Sequence, residues 1–569
     1  MIQKKWIFKE FDKDAVLKIS KAHNISPVIA IVLYNRGIRT EKEINDFLSC
    51  DLKGMHDPFL MKDIDKAVER INKAKENGEK ITIYGDYDVD GITSIAILYK
   101  HFTRLGISVD YYVPDRIAEG YGVNKEALDK IKENGSSVVI TVDTGITAVD
   151  ETEYAKSIGL DMIVTDHHEC KEQIPDSYAA VDPKRKDCKY PFKNLAGVGV
   201  AFKLIQALDM SVPLEELMEL YSDLVCLGTV ADISPLVDEN RILVTEGLNR
   251  FKTTKNIGLK ALIDVTTANN SVVTTSTIGY TIAPRINASG RLGCASRSVE
   301  LFLTDDSKRA EELAVDLCKE NTIRQQTEQK MFAEALEYIE NHPEMENDKV
   351  LVIPHENWHH GIVGIVSSKI TEKFYKPSIL FAIDGDEAKG SGRSVNGYNL
   401  FEALENCSDI LEKFGGHELA AGLSVKSENI DKFRQAINAY IPESLEETKT
   451  TPTVSIDATI KATYISNEAV EDINRLQPFG VDNPAPVFAT KAIKIHRIST
   501  MSENKHLRMT LLKDGKYLDT VGFGMGEYYN YFKEGDFVDV AFGLSINDYK
   551  GFHNVQLILK DIKLSEVNN

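Results

Sequence analysis

The stretch Ile81-Thr-Ile-Tyr-Gly-Asp86-Tyr-Asp88-Val-Asp90-Gly91 decides how the chain around it is read. A β-branched run leads straight into three carboxylates that alternate over five residues. Behind them, Gly91-Ile-Thr-Ser-Ile-Ala-Ile-Leu has the apolar character of a buried helix. Carboxylates this close repel one another, and burying one unpaired costs several kcal/mol. They therefore stand in solvent or are held by a cation. Asp-x-Asp-x-Asp-Gly also opens a calcium loop of the EF-hand kind, whose twelfth position needs a bidentate Glu. Here that position is Ile97 and the lead-in is strand-like, so the calcium reading fails.

Around this stretch, residues 76–304 alternate apolar runs with helical patterns. The runs are Ile81–Tyr84, Val109–Val113, Val138–Val142, Met162–Val164 and Leu224–Val230. Continuous apolar strands separated by helices predict an α/β domain with a doubly wound, mostly parallel sheet. Four runs end in acids: Asp86/Asp88/Asp90, Asp143, Asp166 and Asp232. Read as strand ends, they converge on one crevice, because open α/β sheets bind ligands beyond their carboxyl edge. A single Asp after a strand is commonly a helix cap, and a single His commonly packs in a core. Four acids in one sheet, with His167-His168 after one of them, favour a site.

The candidate metal ligands are Asp86, Asp88, Asp90, Asp143, His167 and Asp232, with His168 beside them. Carboxylates with one or two imidazoles and no thiolate suit Mn2+ or Mg2+ better than structural zinc. The donors are too many for one ion and predict two divalent cations sharing a carboxylate, a centre suited to hydrolysing a phosphate ester or anhydride. No Gly-x-x-x-x-Gly-Lys loop, dinucleotide-binding glycine spacing or Gly-x-Ser-x-Gly elbow competes with it.

The flanks are simpler. Residues 1–75 read as an N-terminal helical segment, with helices over Asp14–His23, Ser26–Tyr34 and Thr40–Leu48, the last opened by a Thr40/Glu43 capping box. Residues 305–345 contain a long polar-faced helix suited to bridging domains. A second α/β unit spans 346–446, and a β-rich tail at 452–565 suits a small barrel of the OB kind. In the tail, Lys491, Lys494, Arg497, Lys505 and Arg508 accompany Tyr528, Tyr549 and Phe552, a combination that serves single-strand binding or barrel packing.

With 569 residues the chain is too long for one core. Seven cysteines without a Cys-x-x-Cys pair predict a reducing compartment. The charged N-terminus and the lack of a ~20-residue apolar run point to a cytoplasmic protein with no membrane partner. A net charge of −20 argues against broad non-specific binding to nucleic acid but leaves room for a local basic groove.

The ordered motifs carry a resemblance. Tyr84-Gly-Asp86-Tyr-Asp88-Val-Asp90-Gly91, Val142-Asp143-Thr-Gly145, Asp166-His167-His168 and Gly228-Thr-Val-Ala-Asp232 resemble the four successive motifs of the DHH phosphoesterase superfamily, most closely its RecJ family. The resemblance continues through Leu33-Tyr-Asn-Arg-Gly-Ile, Ala283-Pro-Arg285-Ile-Asn287-Ala-Ser-Gly-Arg291 and Trp358-His-His-Gly-Ile-Val-Gly. It then takes in Gly390-Ser-Gly-Arg393-Ser and Gly415-Gly-His417, ahead of a terminal OB-fold.

It implies a DHH-type catalytic domain joined by the long helix to a DHH-associated domain. The implied activity is 5′-to-3′ hydrolysis of single-stranded DNA to mononucleotides with two Mn2+ or Mg2+ ions, in repair and recombination. Asp88, Asp143 and His168 would be catalytic, and His168 would lie near the scissile phosphate. Arg116, Tyr121, Arg285, Asn287, Arg291, Ser391, Arg393 and His417 would contact the strand. The Ser391–Arg393 segment reads as a Gly-flanked turn in which backbone and guanidinium approach phosphate. Each arginine also fits a structural ion pair.

Smaller superfamily members usually place a histidine ligand where Tyr84 stands, which makes Asp86 the candidate substitute and leaves the first metal's ligand open. A monomer is expected, working with a single-strand-binding protein and a helicase. The alternatives are a small-nucleotide DHH phosphatase and a catalytically silent replication scaffold.

Overall fold

Strand and helix periods in the central region give a five-stranded sheet of β1 (Lys80–Gly85), β2 (Val109–Tyr112), β3 (Ser136–Val142), β4 (Asp161–Thr165) and β5 (Ala179–Val181). All its pairings are parallel and its order is β2-β1-β3-β4-β5. Alternate residues of the strands enter different cores. Ile81, Ile83, Ile140 and Ile163 join one cluster, while Tyr84, Val139, Met162 and Val164 join another. Both faces are thus covered, which is why the strands read as unbroken apolar runs. Strand order reverses between β1 and β3, and the crevice at such a switch point is where α/β sheets bind ligands.

The computed structural model describes residues 4–116, 119–120, 122–267, 272–440, 451–547 and 553–566. These fall into two compact units. One comprises Asp51–Thr450 with Gly480–Asp482; the other comprises Met1–Cys50, Thr451–Phe479 and Asn483–Asn569.

In the first unit, helix α1 (Val89–Arg104) follows β1 and is capped by the Asp88 carboxylate. Two further buried helices, α2 (Gly197–Leu208) and α3 (Leu214–Ala231), pack in the same core. The run Leu224–Val230, expected as a strand, lies inside α3. Asp232 is therefore a helix C-cap and not a strand end. The helix is buried on all sides from Tyr221 to Thr229, so its polar face is missing there and a short apolar run gives no period to distinguish it from a strand.

Helix α4 (Ala283–Leu292) carries Arg285, Asn287 and Arg291. The 35-residue α5 (Ser307–Asn341) begins at Asp306, whose carboxylate accepts the N–H groups of Lys308 and Arg309. Beyond it, β6 (Leu351–Glu356), helix α6 (His360–Phe374), β7 (Ser378–Asp384), β8 (Glu387–Arg393), β9 (Lys413–His417) and β10 (Ala420–Lys426) build a second sheet, of order β9-β10-β8-β7-β6. Only the β6–β7 pair in it is parallel.

In the second unit, strand Phe488–Met501 pairs with both His506–Lys513 and Phe537–Asn547. Together with Lys516–Gly522 and Asn554–Leu564 it closes a five-stranded barrel. The N-terminal helices Lys13–His23, Pro27–Asn35 and Glu41–Ser49 share one apolar core with this barrel, and strand Lys5–Phe8 pairs in parallel with Thr453–Ile456. The segment 1–75, read from sequence as one piece, is therefore divided: residues to Cys50 belong with the barrel and those from Asp51 with the five-stranded parallel sheet. Among the described residues no single helix is long and apolar enough to cross a membrane.

Candidate metal centre and strand-binding cavity

Four of the carboxylates are fixed by backbone devices at the β1/β3 switch point. Asp86 follows β1 and is buried. Asp88 Oδ1 accepts the N–H groups of Asp90 (2.9 Å) and Gly91 (3.1 Å), starting α1. Asp90 sits in the first turn of α1, and its two oxygens accept the N–H groups of Gly197 (2.7 Å) and Val198 (2.8 Å) at the start of α2. Two helix N-termini thus face one carboxylate, the sign of charge they favour. Asp143 leaves β3 at φ 57, a left-handed conformation that Asp tolerates better than most residues and that recurs at functional sites.

The fifth acid arrives differently. Asp232 caps the C-terminus of α3, where the helix dipole disfavours a negative charge. Ser234 Oγ donates to it at 2.6 Å. Burial pushes Asp86 up to about 8, with the Asp88 charge adding to the shift. Asp90 and Asp143 rise well above the carboxylate range, first by burial and then through neighbouring aspartates, and burial also raises Asp232.

His167 follows Asp166 at the end of β4. Its Nε2 lies 3.0 Å from Asp143 Oδ1 and 3.8 Å from Asp90 Oδ2, and its Nδ1 lies 3.9 Å from Asp232 Oδ2. Burial lowers its pKa, so it favours the neutral imidazole that ligates metals.

These donors fit divalent cations. Asp86 Oδ1 and His167 Nε2 are buried without a hydrogen-bond partner of acceptable geometry, an arrangement that is costly unless something else coordinates them. Ligand atoms of Asp86, Asp88 and Asp143 lie within 4.8 Å of one another, and so do those of Asp90, His167 and Asp232. Asp143 forms a third such group with His167 and His168, which places it between the first two. All-oxygen and oxygen–imidazole donors suit Mg2+ or Mn2+.

His168 is set apart by its partner. Asp166, buried beside it, accepts from its own neighbours' N–H groups and from Ile146 N–H, and its Oδ1 lies 2.7 Å from His168 Nδ1. Burial alone would lower the pKa of His168, but the Asp166 hydrogen bond and charge outweigh it and raise it to about 9. Asp166 thus favours the protonated form of His168.

A cavity of about 640 Å³ joins the two sheets of this unit. Asp86, Asp88, Asp143, His168 and Asp232 line one side; Ser391, Arg393 and the small residues of β9 and β10, among them Gly416 and Gly422, line the other. Ser391 and Arg393 lie in strand β8 and not in the turn expected from their glycine flanks. Arg393 donates to Ser391 Oγ at 3.0 Å and to the Gly392 carbonyl at 2.8 Å. Arg291 donates to the Gly361 carbonyl at 2.8 Å. Burial lowers it to about 10, and Arg116, Arg324 and Arg393 add to the shift. Arg116 lies over the Tyr87 ring at 5.0 Å. None of Arg116, Arg291 and Arg393 has a carboxylate in an ion pair among the described residues. Three arginines close enough to shift one another, none of them in an ion pair with a carboxylate, suit an anion.

Other expected contacts are placed differently. Asn287 Oδ1 accepts the Val89 N–H at 3.3 Å, so it braces the aspartate loop. Arg285 donates to the Thr281 carbonyl in the turn just before its helix and does not line the cavity. His417 is exposed at the end of β9. Tyr121, Tyr549 and Phe552 lie outside the described residues. In the barrel, Tyr528 is buried, whereas Tyr517, Phe523, Tyr529 and Tyr531 are exposed. Tyr517 pairs with His496 (4.9 Å) and Phe523 with His506 (5.5 Å).

Sequence reasoning missed Asp166 as the partner of His168 and the Gly197-Val198 N–H pair. In the sequence, Gly197-Val-Gly199 has the wrong spacing for a dinucleotide-binding loop and gives no other sign of this contact.

Comparison with known proteins places this geometry. Residues 80–229 match the DHH family, N-terminal domain, residues 347–443 the DHHA1 domain, and residues 456–561 the RecJ OB domain. The chain is 40% identical over 565 residues to the single-stranded-DNA-specific exonuclease RecJ of Bacillus subtilis, covering 99% of this chain and 71% of the relative. It is 34% identical to that of Escherichia coli, over 95% of this chain and 96% of the other. The chain belongs to the RecJ family. A solved structure of RecJ from Thermus thermophilus in complex with Mn2+ is similar to it, with a TM-score of 0.84 and 28% identity over 99% of this chain and 80% of that one. A second structure of that RecJ is in complex with Mg2+. The RecJ fold thus accompanies the two metals that the donor set suits.

Proposed function

We propose that the chain is a metal-dependent exonuclease that hydrolyses single-stranded DNA from its 5′ end, in repair and recombination. The observation that carries this reading is the shared cavity: aspartates from both groups of metal donors on one wall, and on the other Arg393, which has no carboxylate in an ion pair among the described residues. Asp86, Asp88 and Asp143 would hold one divalent cation, and Asp90, His167 and Asp232 the other, with Asp143 between them. Bound there, two Mn2+ or Mg2+ ions supply an ionised water at neutral pH and stabilise charge on a phosphoryl oxygen.

The remaining chemistry belongs to the chain itself. His168, kept protonated by Asp166, offers a hydrogen bond and positive charge to the phosphate under attack. Asp166 holds the ring through Nδ1. Arg393, Arg291 and Arg116, with Ser391, grip the terminal phosphate by charge-assisted hydrogen bonds. Because the contacts are to phosphate, the strand is held without base readout. The exposed Tyr517 and Phe523 of the barrel suit stacking by bases of single-stranded DNA. In this reading the enzyme works as a cytoplasmic monomer on strands exposed by a helicase and covered by a single-strand-binding protein.

The test is digestion of 5′- and 3′-labelled oligonucleotides, single and duplex, with Mn2+ or Mg2+. Immediate release of labelled mononucleotide from the 5′ end of single strands, abolished by chelation, is expected. Release from the 3′ end first, or equal attack on blunt duplex, would overturn the reading.

A further inference from the structure

Helix α6 carries Gly361 and Gly364 one turn apart. Neither has a positive φ, so backbone conformation does not call for glycine. Glycine inside a helix is also less favourable than alanine by about 1 kcal/mol. The reason for these two glycines is space. A Cβ at Gly361 would lie 2.8 Å from the Arg291 carbonyl oxygen, while the Gly361 carbonyl accepts from the Arg291 guanidinium. A Cβ at Gly364 would lie 2.9 Å from Ser391 Oγ and 3.0 Å from an Arg393 guanidinium nitrogen, with Arg393 Cζ next at 3.6 Å. The three nearest neighbours of Gly364 therefore belong to two polar side chains of the cavity wall and not to a packed apolar core.

We propose that Gly364 is a positioning residue: its missing side chain sets the depth at which Ser391 and Arg393 sit in the cavity wall, and so their fit to the terminal phosphate of the bound strand. The inference rests on the reading of Ser391 and Arg393 as the strand-end anchor. An alanine at 364 drives Ser391 Oγ and the Arg393 fork outwards together, because the two are hydrogen-bonded to each other and Arg393 is also tied to the Gly392 carbonyl. Arg291 keeps its place, since Gly361 is untouched.

The test compares kcat and KM on single strands with a 5′-phosphate and with a 5′-hydroxyl, for the wild type, Gly364→Ala, Arg393→Gln and the double variant, alongside thermal unfolding. Gly364→Ala is expected to raise KM for the phosphorylated strand on the order of tenfold, the loss of a charge-assisted hydrogen bond. It should leave KM for the hydroxyl strand and kcat little changed. Its Tm should be unchanged or higher, since alanine favours the helix. In the Arg393→Gln background, Gly364→Ala should add little. If Arg393→Gln distinguishes the two ends but Gly364→Ala does not, the positioning role is overturned while the anchor stands. If Arg393→Gln does not distinguish them, the anchor reading itself fails. A lowered Tm with equal loss on both strands makes Gly364 a packing residue and overturns the proposal.

Discussion

The Gly197 N–H donates to Asp90 Oδ2 at 2.7 Å, and a Cβ at Gly197 would lie 2.7 Å from Asp143 Cβ. One glycine thus holds the first acid and makes room for the second. Gly197→Ala should displace Asp143 and reduce cleavage on the order of 10²-fold, the scale of an ångström's misplacement. Binding of single strands in the absence of metal should stay near wild type. Full activity in Gly197→Ala would show that Asp143 does not depend on this contact.

The Asp166–His168 pair gives a pH prediction. His168 is raised to about 9, so it stays protonated through the neutral range and loses its proton only as pH approaches 9. Asp166→Asn removes the partner that opposes burial, so the imidazole should deprotonate at lower pH. The alkaline limb of the kcat profile should then move down, and activity at pH 8 should fall by about 10²-fold or more, the usual weight of such a group. An unmoved alkaline limb would remove His168 from that role.

Metal and pH should act on stability together. Without metal, Asp86 is raised to about 8, and Asp90, Asp143 and Asp232 are raised too. Between the ordinary carboxylate range and about pH 8, the folded metal-free protein binds more protons than the unfolded chain. Its stability therefore falls as pH rises through that window. Divalent cations replace those protons, so Mn2+ should raise Tm more at pH 8 than at pH 6 and should release protons on binding. Calorimetry in weakly buffered solution reads both; equal Tm gains with no proton release would contradict the assignment.

Away from the site, His101 is fully buried and hydrogen-bonded to Tyr221. Burial lowers its pKa to about 4, and Asp209 opposes this only in part. The unfolded chain takes up this proton near pH 6.5 and the folded protein only near 4, so stability is lost as pH falls through that window. The contribution is at most about 3 kcal/mol. His101→Gln should flatten the acid arm of the stability curve between those values, measured by denaturant unfolding.

How far the site was legible depends on how each residue is placed. Asp86, Asp143 and His167 follow true strands, and the unbroken apolar runs before them located them. Asp232 was found by a wrong route: its run lies in a helix whose burial on all sides erased the 3.6-residue pattern. Asp166 was visible as a strand-end acid, yet its role depends on a hydrogen bond to the residue two positions on. Contacts between distant segments left no local sign. The pairing of Lys5–Phe8 with Thr453–Ile456 joins opposite ends of the chain, so residues 1–75 could not be divided from sequence. Strand β5 has three residues, too few to show alternation. Gly364 stands in the sequence only as the last residue of Trp358-His-His-Gly-Ile-Val-Gly, and its closeness to Arg393 is a contact between separate elements that leaves no local sign.

The central claim, that these carboxylates hold the metals of a single-strand exonuclease, is tested most directly by cleavage of a 5′-labelled single strand by Asp143→Ala and Asp232→Ala at saturating Mn2+, with strand binding measured in parallel. The account predicts that cleavage falls at least about 10³-fold in both while binding changes little, because electrostatic stabilisation of the reacting phosphate is lost and the arginine wall is not. Undiminished cleavage in either variant would contradict it.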